Sequence, residues 1–385
     1  MKFINFFSKP VGALSLTLIF FGCANRSVSE LESDITMLNE IDVTQVDDKS
    51  LISSVIDTVE YLPLHGSIEH PIGRVDDMQI TDKGFFLLDK RRKIIHAYTP
   101  EGRWLYDLAA IGNGKGEYKE IACFAVTDDE ILVIDNFTKS VLKYSIDDGA
   151  FKESLKTPFP ISGIRMLDNG DLLLAQLSGR DAVVSGEFKD NRLYIAGQDM
   201  MIKKEFLPFG ENRDIIMMSQ PFKDGDGSII YASHGFCGYT ILNTTDGSII
   251  GNVAIKTAKP YDERKFGDNK ISVSEAADII DRDGMQLITY TPICSNRYSI
   301  FTVRDGDSSP IYLWDSETGT VYQNPTESYH NLLMRPHGVK NDKFYHVYFH
   351  DFLDEQLEHG FNKPDAVSDS ILRNEGSAIL IYTMK

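Results

Sequence analysis

Two stretches of this chain say nearly the same thing. "GFFLLDKRRKIIHAYTPEGRW" over 84–104 is followed about 46 residues later by "EILVIDNFTKSVLKYSIDDGAF" over 130–151, with Asp89 matched by Asp135, Tyr98 by Tyr144 and Gly102 by Gly149. Each copy is built from short apolar runs of β-type residues, punctuated by Asp, Asn and Gly, with no room for a helix between them. Four short antiparallel strands in a period of this length make one blade of a β-propeller.

The same pattern recurs six times along the chain. Second strands begin near Gly84, Glu130, Asp171, Ser228, Tyr298 and Phe344, and the segments just upstream supply innermost strands: "RVDDMQIT", "IACFAVT", "GIRMLDN", "IIMMSQP", "LITYTPI" and "MRPHGVKN". The expectation is an all-β, six-bladed β-propeller of four-stranded antiparallel blades over residues 51–385. Exposed strand edges invite aggregation, and a closed ring removes them. The alternating strand "VIDTVEYLPL" (55–64) is therefore expected to pair with "SAILIYTM" (377–384), which joins the N-terminal and C-terminal strands in one blade. Two insertions interrupt the rhythm. "ISVSEAADIID" (271–281) reads as a helix between blades 4 and 5, and "DFLDEQLEHGFNKPDAVSDS" (351–370) as a helix and loop inside blade 6.

The first fifty residues have a different character. Lys2 and Lys9 precede "VGALSLTLIFF" (11–21), an apolar run too short for a membrane span and of signal-peptide proportions. Residues 1–22 are read as that signal. Cys23 directly follows small Gly22, as in a bacterial lipobox, where the thiol is lipidated and becomes the first mature residue; an ordinary secretory signal is the alternative. Residues 23–50 are polar and acidic and read as a flexible tether. The expected location is the bacterial cell envelope, as an outer-membrane lipoprotein, periplasmic or surface-exposed.

The formal charge of −18 disfavours nucleic acid, whose phosphates such a surface repels. The short basic run "DKRRK" (89–93) reads as a solvated turn. With Cys23 lipidated, Cys123, Cys237 and Cys294 remain, without metal-type spacing, and are expected to be free thiols.

After a blade ending "YTPEGRWLYDL", the stretch "AIGNGKGEYKEIACFAV" (110–126) carries Gly112, Gly114, Gly116, Glu117 and Tyr118. It resembles the Gly-x-Gly-Pro-Gly-Glu-Tyr turn of bacterial six-bladed β-propeller lipoproteins, relatives of the NHL-repeat and TolB-like propellers, with Lys115 in place of proline. The resemblance covers roughly 55–385 and implies the fold and envelope location, and little chemistry.

The loop "GNGKGEY" lacks the hydroxyl and the following helix of a phosphate-binding P-loop, and reads as a blade-to-blade crossover. No GxSxG nucleophile motif is present. His337, His346 and His350 lie within fourteen residues, and imidazoles bind Zn²⁺. Only an innermost strand lines the channel, however, so these three are not expected to converge; no cofactor is firmly implied, with Ca or Zn as the open options. Polar residues of the innermost strands must be wet, ligand-bound or mutually paired. Those candidates are Asp77, Gln79, Arg165, Gln220, Arg335 and His337, joined by Tyr290 and Arg297 from blade 5. Arginine and aromatic groups there suit an anionic or sugar-like ligand. The leading expectation is a non-enzymatic, lipid-anchored propeller that binds a partner protein or a carbohydrate or peptide ligand. The alternatives are a metal-dependent hydrolase or lyase acting at the channel mouth, and a structural subunit of an envelope complex.

Overall fold

The structure is a computed structural model and describes residues 35–177, 188, 191–209, 220–233, 237–266, 271–325 and 328–385. The described residues form six small sheets. Blade 1 runs outward through Asp77–Thr81, Gly84–Asp89, Ile94–Tyr98 and Trp104–Leu108; blades 2 and 3 repeat this order from Cys123–Val126 and from Ile161–Met166. The innermost strands touch their neighbours from blade to blade until the sixth meets the first, so the ring is closed. In blade 6, Ile56–Pro63 lies antiparallel to Ser377–Met384, with Ile56 opposite Met384 and Pro63 opposite Ala378. The closure expected from the two terminal strands is the one observed.

The recurring residues have physical reasons. The Asp135 carboxylate accepts the backbone N–H groups of Phe137 and Thr138 at 2.9 and 3.1 Å, closing the turn after the second strand. Its other oxygen takes the Lys119 N–H at 2.8 Å, so one side chain also fastens the segment entering the blade. Asp89 does the same work in blade 1 with Arg92, Gly73 and Arg74. Gly102 and Gly149 hold φ of +76° and +70° in the turn to the outermost strand, a conformation costly for a residue with a Cβ. In the crossover from blade 1 to blade 2, Glu117 accepts the Gly114 N–H at 2.6 Å, while the Tyr118 hydroxyl donates to the carbonyls of Lys93 and Leu108.

Apolar side chains alternate to both faces of each blade and fill the gaps between neighbours. Phe86, Leu88 and Ile95 of blade 1, for example, pack against Phe124, Ile131 and Tyr144 of blade 2. The inserted helix Val273–Asp283 lies between blades 4 and 5. It starts on a capping box of Ser272 and Glu275 and stops at Gly284 in the left-handed region. The blade 6 insertion forms two short helices, Leu353–Glu358 and Ala366–Arg373.

Two expectations are corrected. Part of the segment 23–50, read as a free tether, is docked: Met37–Asp42 runs parallel to Ile249–Lys256 as a fifth strand of blade 4. Ile41 is buried there among Tyr239, Val253 and Ile255, which pull the strand onto the sheet. The signal peptide and Cys23 lie outside the described residues. The innermost strand of blade 4 is Phe222–Asp224 rather than "IIMMSQP", whose residues 215–219 also lie outside them.

Blades 4, 5 and 6 share short innermost strands, although a proline also stands before the six-residue innermost strand of blade 3, at Pro160. Pro221, Pro292 and Pro336 stand at the entry to their innermost strands, and a proline offers no N–H to the ladder. The strands behind them are short, at three, two and three residues. In blade 5 the innermost position is split, since Leu287–Ile288 and Ile293–Cys294 both pair with Tyr298–Arg304. The unpaired stretch between them carries Tyr290.

Candidate functional site

Near the middle of the channel the predicted residues Asp77 and Arg165 form a plug. Asp77 is fully buried on blade 1, and its Oδ1 accepts Lys223 Nζ of blade 4 at 2.6 Å. Arg165 of blade 3 reaches Asp77 Oδ2 at 3.4 Å and donates through Nε to Asp224 Oδ1 at 2.8 Å. Lys223 also donates to the His337 carbonyl of blade 6 at 3.2 Å. Four blades thus meet through one ion-pair network. Burial alone would raise the Asp77 carboxyl, and the Lys223 and Arg165 charges outweigh it, holding it below the usual carboxylate range. Gln79 is likewise consumed by structure. Its amide donates to the Phe124 carbonyl at 2.7 Å and accepts the Val126 N–H at 2.8 Å, stitching blade 1 to blade 2.

Above the plug, where the innermost strands of blades 4–6 fall short, lies a cavity of about 320 Å³. Gln220, Tyr290, Arg335 and His337, all expected at the channel, line it together with Lys223 and Thr289. The Arg335 guanidinium carbon stands 3.5 Å over the centre of the Tyr290 ring, a cation–π contact. Burial pushes the Arg335 guanidinium below its ordinary value, and the Tyr290 and Asp76 charges only partly oppose this.

Two histidines support this arginine. The His346 Nδ1 donates to the Arg335 carbonyl at 2.8 Å, and its ring stacks on His337 at 4.8 Å between centroids. The His337 Nδ1 accepts the Val347 N–H at 3.1 Å, which leaves the ring proton on Nε2. Burial pushes His337 well below its ordinary value and His346 down to about 4, so both rings are neutral near pH 7. The cavity therefore presents donors: the guanidinium and the His337 Nε2–H. Gln220 is only 7 % exposed, and its Nε2 has no hydrogen-bond partner among the described residues.

Some expected residues lie elsewhere. Arg297 is not at the mouth; it sits in the turn before the second strand of blade 5, with Nε and Nη2 donating to Asp315 at 2.9 and 2.7 Å. That turn follows the innermost strand instead of preceding it, so its side chains leave the cavity end. His350 approaches Asp351 at 3.2 Å, apart from the stacked pair, and among the described residues no three His, Cys, Asp or Glu side chains gather as a metal cage. Cys123, Cys237 and Cys294 are free; Cys237 is half-buried and the other two are buried. Sequence reasoning missed Lys223, Asp224 and Thr289. For the first two, Pro221 was the available signal, because it marks where the blade 4 strand can start.

A protein-family model described as "Domain of unknown function (DUF4934)" matches residues 38–377. The chain belongs to this DUF4934 family. The match begins inside the docked strand of blade 4 and ends at the first residue of the closing strand of blade 6, so it reaches into all six blades. No curated protein matches the sequence. Among solved structures, one from Bacteroides fragilis described as an exported protein shares 17 % identity, with a TM-score of 0.73, over 90 % of this chain and 99 % of that one. A member of the DUF4221 family from Bacteroides vulgatus shares 10 % identity, with a TM-score of 0.45, over 86 % of this chain and 98 % of that one. The first of these shows the propeller fold for this DUF4934 chain.

Proposed function

We propose that this protein is an extracytoplasmic, lipid-anchored propeller that holds a small carbohydrate or peptide ligand in the cavity over blades 4–6. The observation that carries this reading is the Arg335–Tyr290 pair at a concave mouth, with Arg335 making no ion pair among the described residues. Ligand sites are concave, with a few convergent polar groups on an apolar frame. Here Ile293, Ile300 and Phe301 supply the frame. The plug of Asp77, Lys223 and Arg165 gives the cavity a floor, so it works as a cup and not as a pore.

The envelope location rests on Lys2, Lys9, the apolar run at 11–21 and Cys23, together with the resemblance to lipoprotein propellers. Because Met37 already belongs to blade 4, only residues 24–36 separate Cys23 from the ring. Thirteen residues reach roughly 45 Å at full extension. The propeller is therefore held close to the membrane.

The test is calorimetric titration of the Cys23→Ala chain lacking residues 1–22 with monosaccharides, disaccharides and short peptides. Thr289→Trp serves as the variant that fills the cavity. Saturable binding of at least one compound by the parent, lost in Thr289→Trp, is expected. Binding unaffected by Thr289→Trp, or a panel that binds nothing, overturns the reading.

A further inference from the structure

We infer that the cavity takes a ligand bearing a single carboxylate, held by the Arg335 guanidinium with the His337 Nε2–H beside it. The inference deepens the proposed function and rests on it.

Charge matching comes first. Of the charged side chains in the cavity and its floor, Lys223 is matched by Asp77, Arg165 by Asp224 and Arg74 by Asp76. The Asp76 oxygens are committed to Arg74 and to the Lys90 N–H, the latter at 2.8 Å. His337 and His346 carry no charge near pH 7. Among the described residues Arg335 is left without an ion-pair partner, a cation partly withdrawn from water. Removing an ion from water without a partner is costly, and a single counter-charge relieves that cost.

Shape comes second. Tyr290 holds the guanidinium flat from one side, and a planar fork matches the two oxygens of a carboxylate in a bidentate pair. A phosphomonoester near pH 7 carries about −1.5 to −2 charge and overshoots the single cation left unmatched among the described residues of the cavity. Its surplus would face Asp76 and Asp77 inside a chain of net charge −18.

Donor supply comes third. The Arg335 guanidinium and the His337 Nε2–H are donors at the cavity, and an unmade hydrogen bond there is expensive. A carboxylate or an adjacent hydroxyl supplies acceptor lone pairs, whereas a cationic or purely apolar ligand supplies none. The cavity is also at the small end of ligand sites, which span about 300–1,000 Å³. One ring-sized acid fits it better than a polymer segment.

The experiment uses D-galacturonate as a ring-sized monoacid, its methyl ester as the neutral isostere, and acetate and inorganic phosphate as the bare ions. Titrations are run on the parent, Arg335→Gln and Arg335→Lys, with melting temperatures confirming that each variant folds. Expected are saturable galacturonate binding, at least tenfold weaker binding of the ester, and competition by acetate but not by phosphate. Arg335→Gln should weaken the acid tenfold or more and leave the ester unchanged, with Arg335→Lys in between because it keeps charge without the fork. Equal binding of acid and ester, indifference to Arg335→Gln, or preferential binding of phosphate overturns the inference. If only neutral compounds bind and Thr289→Trp blocks them, the carboxylate assignment fails while the ligand-binding reading stands. If nothing binds, both fail.

Discussion

Asp77 and Lys223 are 146 positions apart in sequence and meet at 2.6 Å in the channel, one from blade 1 and one from blade 4. The contact exists only when the ring is closed, and Arg165 joins it from a third blade. Asp77→Asn leaves Lys223 without its counter-charge and Arg165 with Asp224 alone, and breaking such a network by removing one partner costs about 3–5 kcal/mol. Urea unfolding should show a loss of that size. A loss below about 1 kcal/mol would mean that the channel is wet and the plug unimportant.

The docking of Met37–Asp42 on blade 4 makes a second test. Ile41 is 1 % exposed and contributes to the core between blades 4 and 5. Ile41→Ala should destabilise the ring by about 2–5 kcal/mol, as other buried Ile truncations do. If removing residues 1–42 left the unfolding midpoint unchanged, the strand would be a passive tether after all.

The histidine pair gives stability a pH dependence with a definite sign. His346 titrates at about 4 in the folded protein and near 6.5 unfolded. Between those values the unfolded chain binds more protons, so stability rises with pH, by at most about 1.4 kcal/mol per pH unit for this group. His337 is shifted the same way. Unfolding free energy should therefore climb from pH 4 to 6.5 and level off above it. His346→Asn should flatten the climb, and an unchanged slope in that variant would place the titrating group elsewhere.

Anchoring is tested by fractionation. In a Gram-negative host the full chain should partition with membranes, and Cys23→Ala should release it to the soluble envelope fraction. Membrane retention by Cys23→Ala would remove the lipid from the account.

Much of this fold was legible because its signals are local. Asp89 and Asp135 close turns within their own blades, Gly102 and Gly149 repeat the same φ, and Ser272 with Glu275 starts a helix in sequence order. The channel was only partly legible because its content is set by register. Asp77 and Arg165 meet in the ion-pair network, and Arg335 and His337 line the cavity, since they precede or occupy innermost strands. Arg297 does neither, because the turn holding it follows that strand and turns its side chain to Asp315. Lys223 was missed because the blade 4 strand starts only after Pro221 and is three residues long. Whether a channel residue is paired or free is a tertiary fact. Asp77 and Arg335 look alike in sequence, yet one is saturated by cations and the other stands without an ion-pair partner among the described residues.

The most direct measurement is diffraction from crystals soaked in galacturonate. The account predicts density for one ring between blades 4 and 6, with carboxylate oxygens about 2.7–3.2 Å from the Arg335 guanidinium nitrogens. Density on another face of the ring, with the Arg335 cavity empty, would contradict it.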